Sequence, residues 1–196
     1  PGSPKATAEA KTLRDERSAE ARATDEQMPE ELAKVSGEAR KYKYANALSG
    51  VRSLLRRMAG VKKNEDQLKA REESLCRQQA IHEKFLAAAR QKLRTGPVPL
   101  PFNIETKFDD MKWKVSRVDY DNVATLDSIP SNKAPSLERH LGEFKPDEQY
   151  NLYMLLLPKE LTADGHKALV AFCQERGLTV QAELHMRQAN ELRLSI

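Results

Sequence analysis

Cysteine is scarce in this chain: among 196 residues only Cys76 and Cys173 carry a thiol. Both fall in stretches with helical spacing, so neither a disulfide scaffold nor a cysteine zinc site is expected. A reducing intracellular compartment, cytoplasm or nucleus, is the expectation instead. Apolar residues are also sparse. They make up 39% of the chain and aromatics 6%, below the ~45–50% apolar of an average globular protein. That is too little for one dense core of this length, and it suits a compact domain joined to solvated helices. No run approaches the ~18 apolar residues of a spanning helix, so no membrane partner is expected. The opening residues lack the apolar stretch of a secretory signal, and Pro1-Gly2-Ser3 reads as a cloning remnant ahead of a fragment. G-x-S-x-G, Walker A and G-x-G-x-x-G motifs are all missing. No catalytic residue, cofactor or small-molecule substrate is therefore assigned.

What is present is charge, unevenly placed. Residues 1–95 hold 21 Lys and Arg against 14 Asp and Glu, whereas residues 96–196 hold 12 against 15. Between Ala39 and Asn64 stand Arg40, Lys41, Lys43, Arg52, Arg56, Arg57, Lys62 and Lys63, with no acid among them. The basic character of the chain belongs to this one segment.

Along the chain, residues 1–30 offer almost nothing large and apolar to bury and read as a disordered or frayed helical tail. Residues 31–95 read as a helical, coiled-coil-like region with no internal proline, entered through Pro29, Glu30 and Glu31. Tyr44, Leu48, Val51, Leu55 and Met58 are spaced as an a/d seam and are the candidate helix-pairing interface. Gly60 interrupts the pattern. A helix over 61–95 would be ~52 Å long, too long for a small core to cover, so it must pair. Two arrangements fit: a helical hairpin turning around Gly60 to Asn64, or a coiled coil with a second chain. Residues 96–101, Gly-Pro-Val-Pro-Leu-Pro, read as a short linker and domain border.

Residues 102–196 read as a small α+β domain. Lys112 to Ser116 alternates polar and apolar, the mark of a half-buried strand. A short helix is expected near Ser136 to Leu141. The apolar run Tyr150 to Leu157 reads as a central buried strand. Leu161 to Arg176 reads as a helix with Thr162 as its N-cap and Gly177 just past its end. Leu178 to Leu184 alternates again, as do Leu192, Leu194 and Ile196, so a βαβ crossover and a last strand are expected. The fold class is thus α+β, a long N-terminal helical hairpin or coiled coil followed by a βαβ-containing domain.

The basic block, with Tyr42 and Tyr44 interleaved, has the composition that neutralises phosphates and stacks on bases. Arg40, Lys41, Lys43, Arg52, Arg56, Arg57, Lys62 and Lys63 are the candidate nucleic-acid or anion contacts. The same residues also fit the solvated flank of a helical seam, although such flanks usually mix signs. Asp109, Asp110, Asp119, Asp121, Asn122 and Asp127 cluster around the first strand without EF-hand spacing. Acidic turns beside strands are common, and no metal site is assigned. His82, His140, His166 and His185 show no ligand spacing. Cys173 sits on an apolar face as a small core residue.

The segment Leu152 to Thr162, containing Leu157-Pro158-Lys159-Glu160-Leu161, with the following helix and strand to His185, resembles plasmid mobilisation relaxases. The resemblance covers about a quarter of the chain. It implies a strand, helix, strand order and a DNA-processing context. Leu192 and Leu194 stand where that family carries two metal-binding histidines, which implies that the metal site is lost. From the residues themselves the reading is a non-enzymatic interaction or assembly module acting by self-association or a protein partner. Nucleic-acid binding, as an accessory or degenerate relaxase-like protein, is the alternative.

Overall fold

A computed structural model of the chain describes Ala19, Ala23 and residues 25–58, 62–106, 111–130 and 134–194, without the side chains of Lys62 and Lys63. The chain divides into two compact units. One holds the described residues up to Ala39 with Lys43–Leu75, the other Arg40–Tyr42 with Cys76–Ile196. The protein is α+β.

The first unit is built from helices. Residues 25–40 form α1, Tyr44–Arg57 α2, and the opening turns of Lys62–Leu93, which is α3, complete it. In α1, Met28, Val35 and Ala39 are buried with Leu32 half-buried between them, the i, i+4, i+7, i+11 stripe of an amphipathic helix. Contacts fix its direction against α2. Arg57 Nη2 lies 3.9 Å from Glu31, a Cβ on Gly50 would stand 3.0 Å from Val35, and Asn46 donates to Glu38 at 2.9 Å. The two helices therefore run antiparallel. Asn64 donates to Asp25 at 2.7 Å and Arg71 to Ser36 at 2.9 Å, so α3 runs the same way as α1. The continuous helix expected from residue 31 is broken between α1 and α2. There Tyr42 takes the left-handed φ of 62°, a conformation that a bulky L residue rarely adopts. The expected break at Gly60 and the expected tail over most of 1–30 lie outside the described residues.

The second unit carries an antiparallel sheet of β1 (Val98–Pro99), β2 (Lys112–Val118), β3 (Val123–Ile129) and β4 (Leu137–His140), in that order. β1 falls in the stretch expected as a linker: Val98 pairs with Val115 and Pro99 with Lys114. β2 follows the expected alternation, burying Trp113 and Val115. A register shift between Val115 and Arg117 then returns Val118 to the same face. β3 supplies Ala124, Leu126 and Ser128 to that core.

Three expectations for this unit are corrected. The residues near Ser136 to Leu141 are a strand followed by a single 3₁₀ turn, not a helix. Tyr150 to Leu157 lies mostly in a helix, α4 (Pro146–Leu156). Its buried Gln149, Leu152, Tyr153 and Leu156 recur at helical spacing, and Pro146 with Asp147 and Glu148 makes a strong helix start. Residues 179–194 are α6 (Thr179–Leu194). It buries Ala182, His185 and Ala189, three and four apart, and leaves Val180 and Leu184 exposed. Between them α5 (Ala163–Glu175) starts at Thr162, whose side chain accepts from the Gly165 N–H, and ends before Gly177 at φ 72°. The expected βαβ crossover is absent among the described residues, where α4, α5 and α6 follow one another.

Candidate functional site

The eight basic candidates are divided between the two units. Arg40 and Lys41 belong to the second unit. Arg40 Nε donates to the Glu175 carbonyl at 3.0 Å and lies 3.9 Å from its carboxylate. Lys43, Arg52 and Arg56 are exposed on the first unit and Arg57 is half-buried there. Arg52 Nε meets Glu72 at 2.6 Å, and Arg57 stands opposite Glu31. The acid-free segment is thus partly neutralised by acids from elsewhere in the chain. Of Lys62 and Lys63 only the helical backbone is described. The structure does bring together Arg52 and Arg56, one turn apart on α2, around an open groove lined by Ala45, Ser49 and Leu55. Of the helix-pairing candidates, Tyr44, Leu48, Val51 and Met58 are buried within the single chain, and Leu55 is half-buried at that groove.

The second unit holds a buried polar network that spacing in the sequence does not reveal. Tyr42 Oη donates to Gln149 Oε1 at 2.8 Å, and Arg176 Nε donates to the same oxygen at 2.6 Å. The Gln149 amide in turn donates to the Phe144 carbonyl at 2.7 Å. Arg176 stacks on Phe172 at 3.8 Å and faces Tyr42 at 4.9 Å. His82 lies alongside. Its Nε2 faces Asn122 Oδ1 at 2.7 Å, an acceptor only, so Nε2 carries the proton and Nδ1 accepts from Tyr153 Oη at 2.6 Å. Burial holds the His82 imidazole down to about 4, against the opposing bond to Asn122. A neutral ring closed to solvent and bonded at both nitrogens is structural chemistry.

His166 and His185 meet Nδ1 to Nδ1 at 3.0 Å at the edge of an open cleft, with Tyr150 and Gln188 on the His185 ring. Burial lowers both imidazoles. Cys76 is exposed, whereas burial pushes the Cys173 thiol up to about 12 and makes it a poor nucleophile. The acidic candidates serve turns: Asp119 Oδ1 accepts from the N–H groups of Asp121 and Val123, and Asp127 accepts from Ser136 at 2.6 Å. Asp109 and Asp110 lie outside the described residues. Among the described residues no three His, Cys, Asp or Glu side chains converge as a metal site, and no helix is long and apolar enough to cross a membrane.

A further surface went unseen in the sequence. Arg90 and Arg94, a turn apart near the end of α3, line a groove with Ser116, Arg117 and Tyr120 from the β2–β3 hairpin. The Arg90 guanidinium lies 3.4 Å above the centre of the Tyr120 ring. Comparison with protein-family models, curated proteins and solved structures returns no match for this chain.

Proposed function

We propose that this chain is a non-enzymatic interaction module whose first unit contacts an acidic protein partner through the exposed basic face of α2. The observation that supports this is the division of that helix. Tyr44, Leu48, Val51, Leu54 and Met58 are buried inside the chain, while Arg52 and Arg56 face outward beside the groove at Ser49 and Lys43 is exposed just ahead of the helix. An apolar seam already covered leaves charge as the feature a partner can read, and complementary charge gives selectivity and fast encounter. The α+β unit contributes a second binding surface.

Sedimentation velocity tests the reading. The chain is expected to stay monomeric across micromolar concentrations and to co-sediment with poly-glutamate at low salt. Reversing Arg52→Glu and Arg56→Glu together should abolish that association. Concentration-dependent dimers, or binding unchanged by the reversal, would remove this reading. A second reading, an accessory nucleic-acid-binding protein, is favoured by a separate observation: the arginine groove beside Tyr120.

A further inference from the structure

We propose that the groove between the end of α3 and the β2–β3 hairpin binds single-stranded nucleic acid, with Tyr120 as a stacking platform and Arg94 and Arg117 as phosphate contacts. The proposal specifies the site of the second reading above and is independent of α2.

Tyr120 is 79% exposed, the most open aromatic ring among the described residues. A tyrosine at a hairpin tip with no core to enter usually swings freely. Here the Arg90 guanidinium, 3.4 Å from the ring centroid, covers one face and orients the other toward solvent. Arg94 follows Arg90 by one helical turn and Arg117 is the last residue but one of β2, and both line the groove together with the ring. Among the described residues none of the three arginines has a carboxylate within ion-pair distance, in contrast to Arg52 and Arg57 on α2. Arg90 Nη2 has no hydrogen-bond acceptor there. The nearby acids are Asp119 and Asp121. Asp119 itself lines the groove, and its Oδ1 caps the hairpin by accepting from the Asp121 and Val123 N–H groups. Three cations against two acids leave the groove net positive.

An exposed ring flanked by cations is the arrangement that holds an unpaired base by its face and the adjoining phosphates by charge. A duplex keeps its bases stacked on one another and offers no face to Tyr120. A purely acidic peptide would use the arginines but has no flat partner for the ring. The ring is therefore the discriminating element.

The test is fluorescence anisotropy of the full chain with a labelled oligothymidylate of about 12 nucleotides, at several salt concentrations. Tyr120→Ala should weaken binding about 10-fold or more, and Tyr120→Trp should restore it. Arg94→Ala and Arg117→Ala should each weaken binding and lower the slope of log affinity against log salt by about one. Because these side chains are at the surface, circular dichroism should be unchanged in every variant. The inference is overturned if the wild-type chain shows no binding at low salt, if Tyr120→Ala binds like wild type, or if the matching duplex or poly-glutamate competes equally. The Arg52→Glu, Arg56→Glu variant separates the two surfaces. Loss of oligothymidylate binding there with Tyr120→Ala unaffected would place the contact on α2 and overturn the groove. Retained binding with loss in Tyr120→Ala upholds the groove whether or not α2 recognises poly-glutamate.

Discussion

Tyr42 and Gln149, 107 positions apart, are joined by a buried hydrogen bond of 2.8 Å. The bond holds a tyrosine at a left-handed φ that its own side chain disfavours, and it shares its acceptor with Arg176. Tyr42→Phe removes one donor and leaves Gln149 Oε1 satisfied, so it should cost about 1 kcal/mol. Gln149→Leu removes the acceptor that the Tyr42 hydroxyl and a guanidinium nitrogen share, and should cost about 3 kcal/mol or more. Urea midpoints decide. Equal losses in the two variants would mean that the network does not act as a unit.

Two glycines with empty surroundings should respond in opposite directions. A Cβ at Gly177 or at Gly37 would meet nothing within 4 Å. Gly177 has φ 72° at the end of α5, where alanine is strained, so Gly177→Ala should destabilise by about 1 kcal/mol. Gly37 lies inside α1, where alanine is the better helix former, so Gly37→Ala should stabilise by about 0.5–1 kcal/mol. Thermal midpoints moving the same way would contradict the backbone assignment at one of the two.

Acid should weaken the second unit through His82. Its folded value of about 4 lies below the ordinary 6.5, so the unfolded chain takes up the proton first. The contribution is complete above pH 6.5 and is lost progressively as pH falls toward 4, reaching about 3 kcal/mol at most. Denaturant titrations of wild type and His82→Gln across this range should converge as pH drops. A constant difference between them would exclude His82 as the sensor.

The buried face of α2 should behave as ordinary core. Leu54, 1% exposed, should cost about 2–5 kcal/mol on conversion to alanine. Light scattering should show the same molar mass before and after. A change from dimer to monomer would show instead that this face pairs two chains.

Where local signals were strong, the sequence already told the fold. Alternation at Lys112 to Ser116 marked β2, and Thr162 with Gly177 bracketed α5. The misreadings share a cause: in short apolar runs the two-residue and the helical periods overlap. Leu178, Val180, Ala182 and Leu184 alternate, yet α6 buries Ala182, His185 and Ala189. The break at Tyr42 had no glycine or proline to announce it, because residues far along the chain hold it. Long-range contacts also decided the site. Glu31 and Glu72 reach cations that looked acid-free locally, and Arg90 meets Tyr120 across thirty positions of chain and two intervening strands.

Trp113, the single tryptophan, lies in β2 at 1% exposure. Its indole makes the second unit luminous and leaves the first dark, since the first unit contains no tryptophan at all. Emission excited at the red edge therefore reports melting of the sheet alone, while far-ultraviolet ellipticity reports helices from both units. Denaturation followed by both signals would give coincident curves if the chain melts as one cooperative body, and two separated curves if each unit has its own transition.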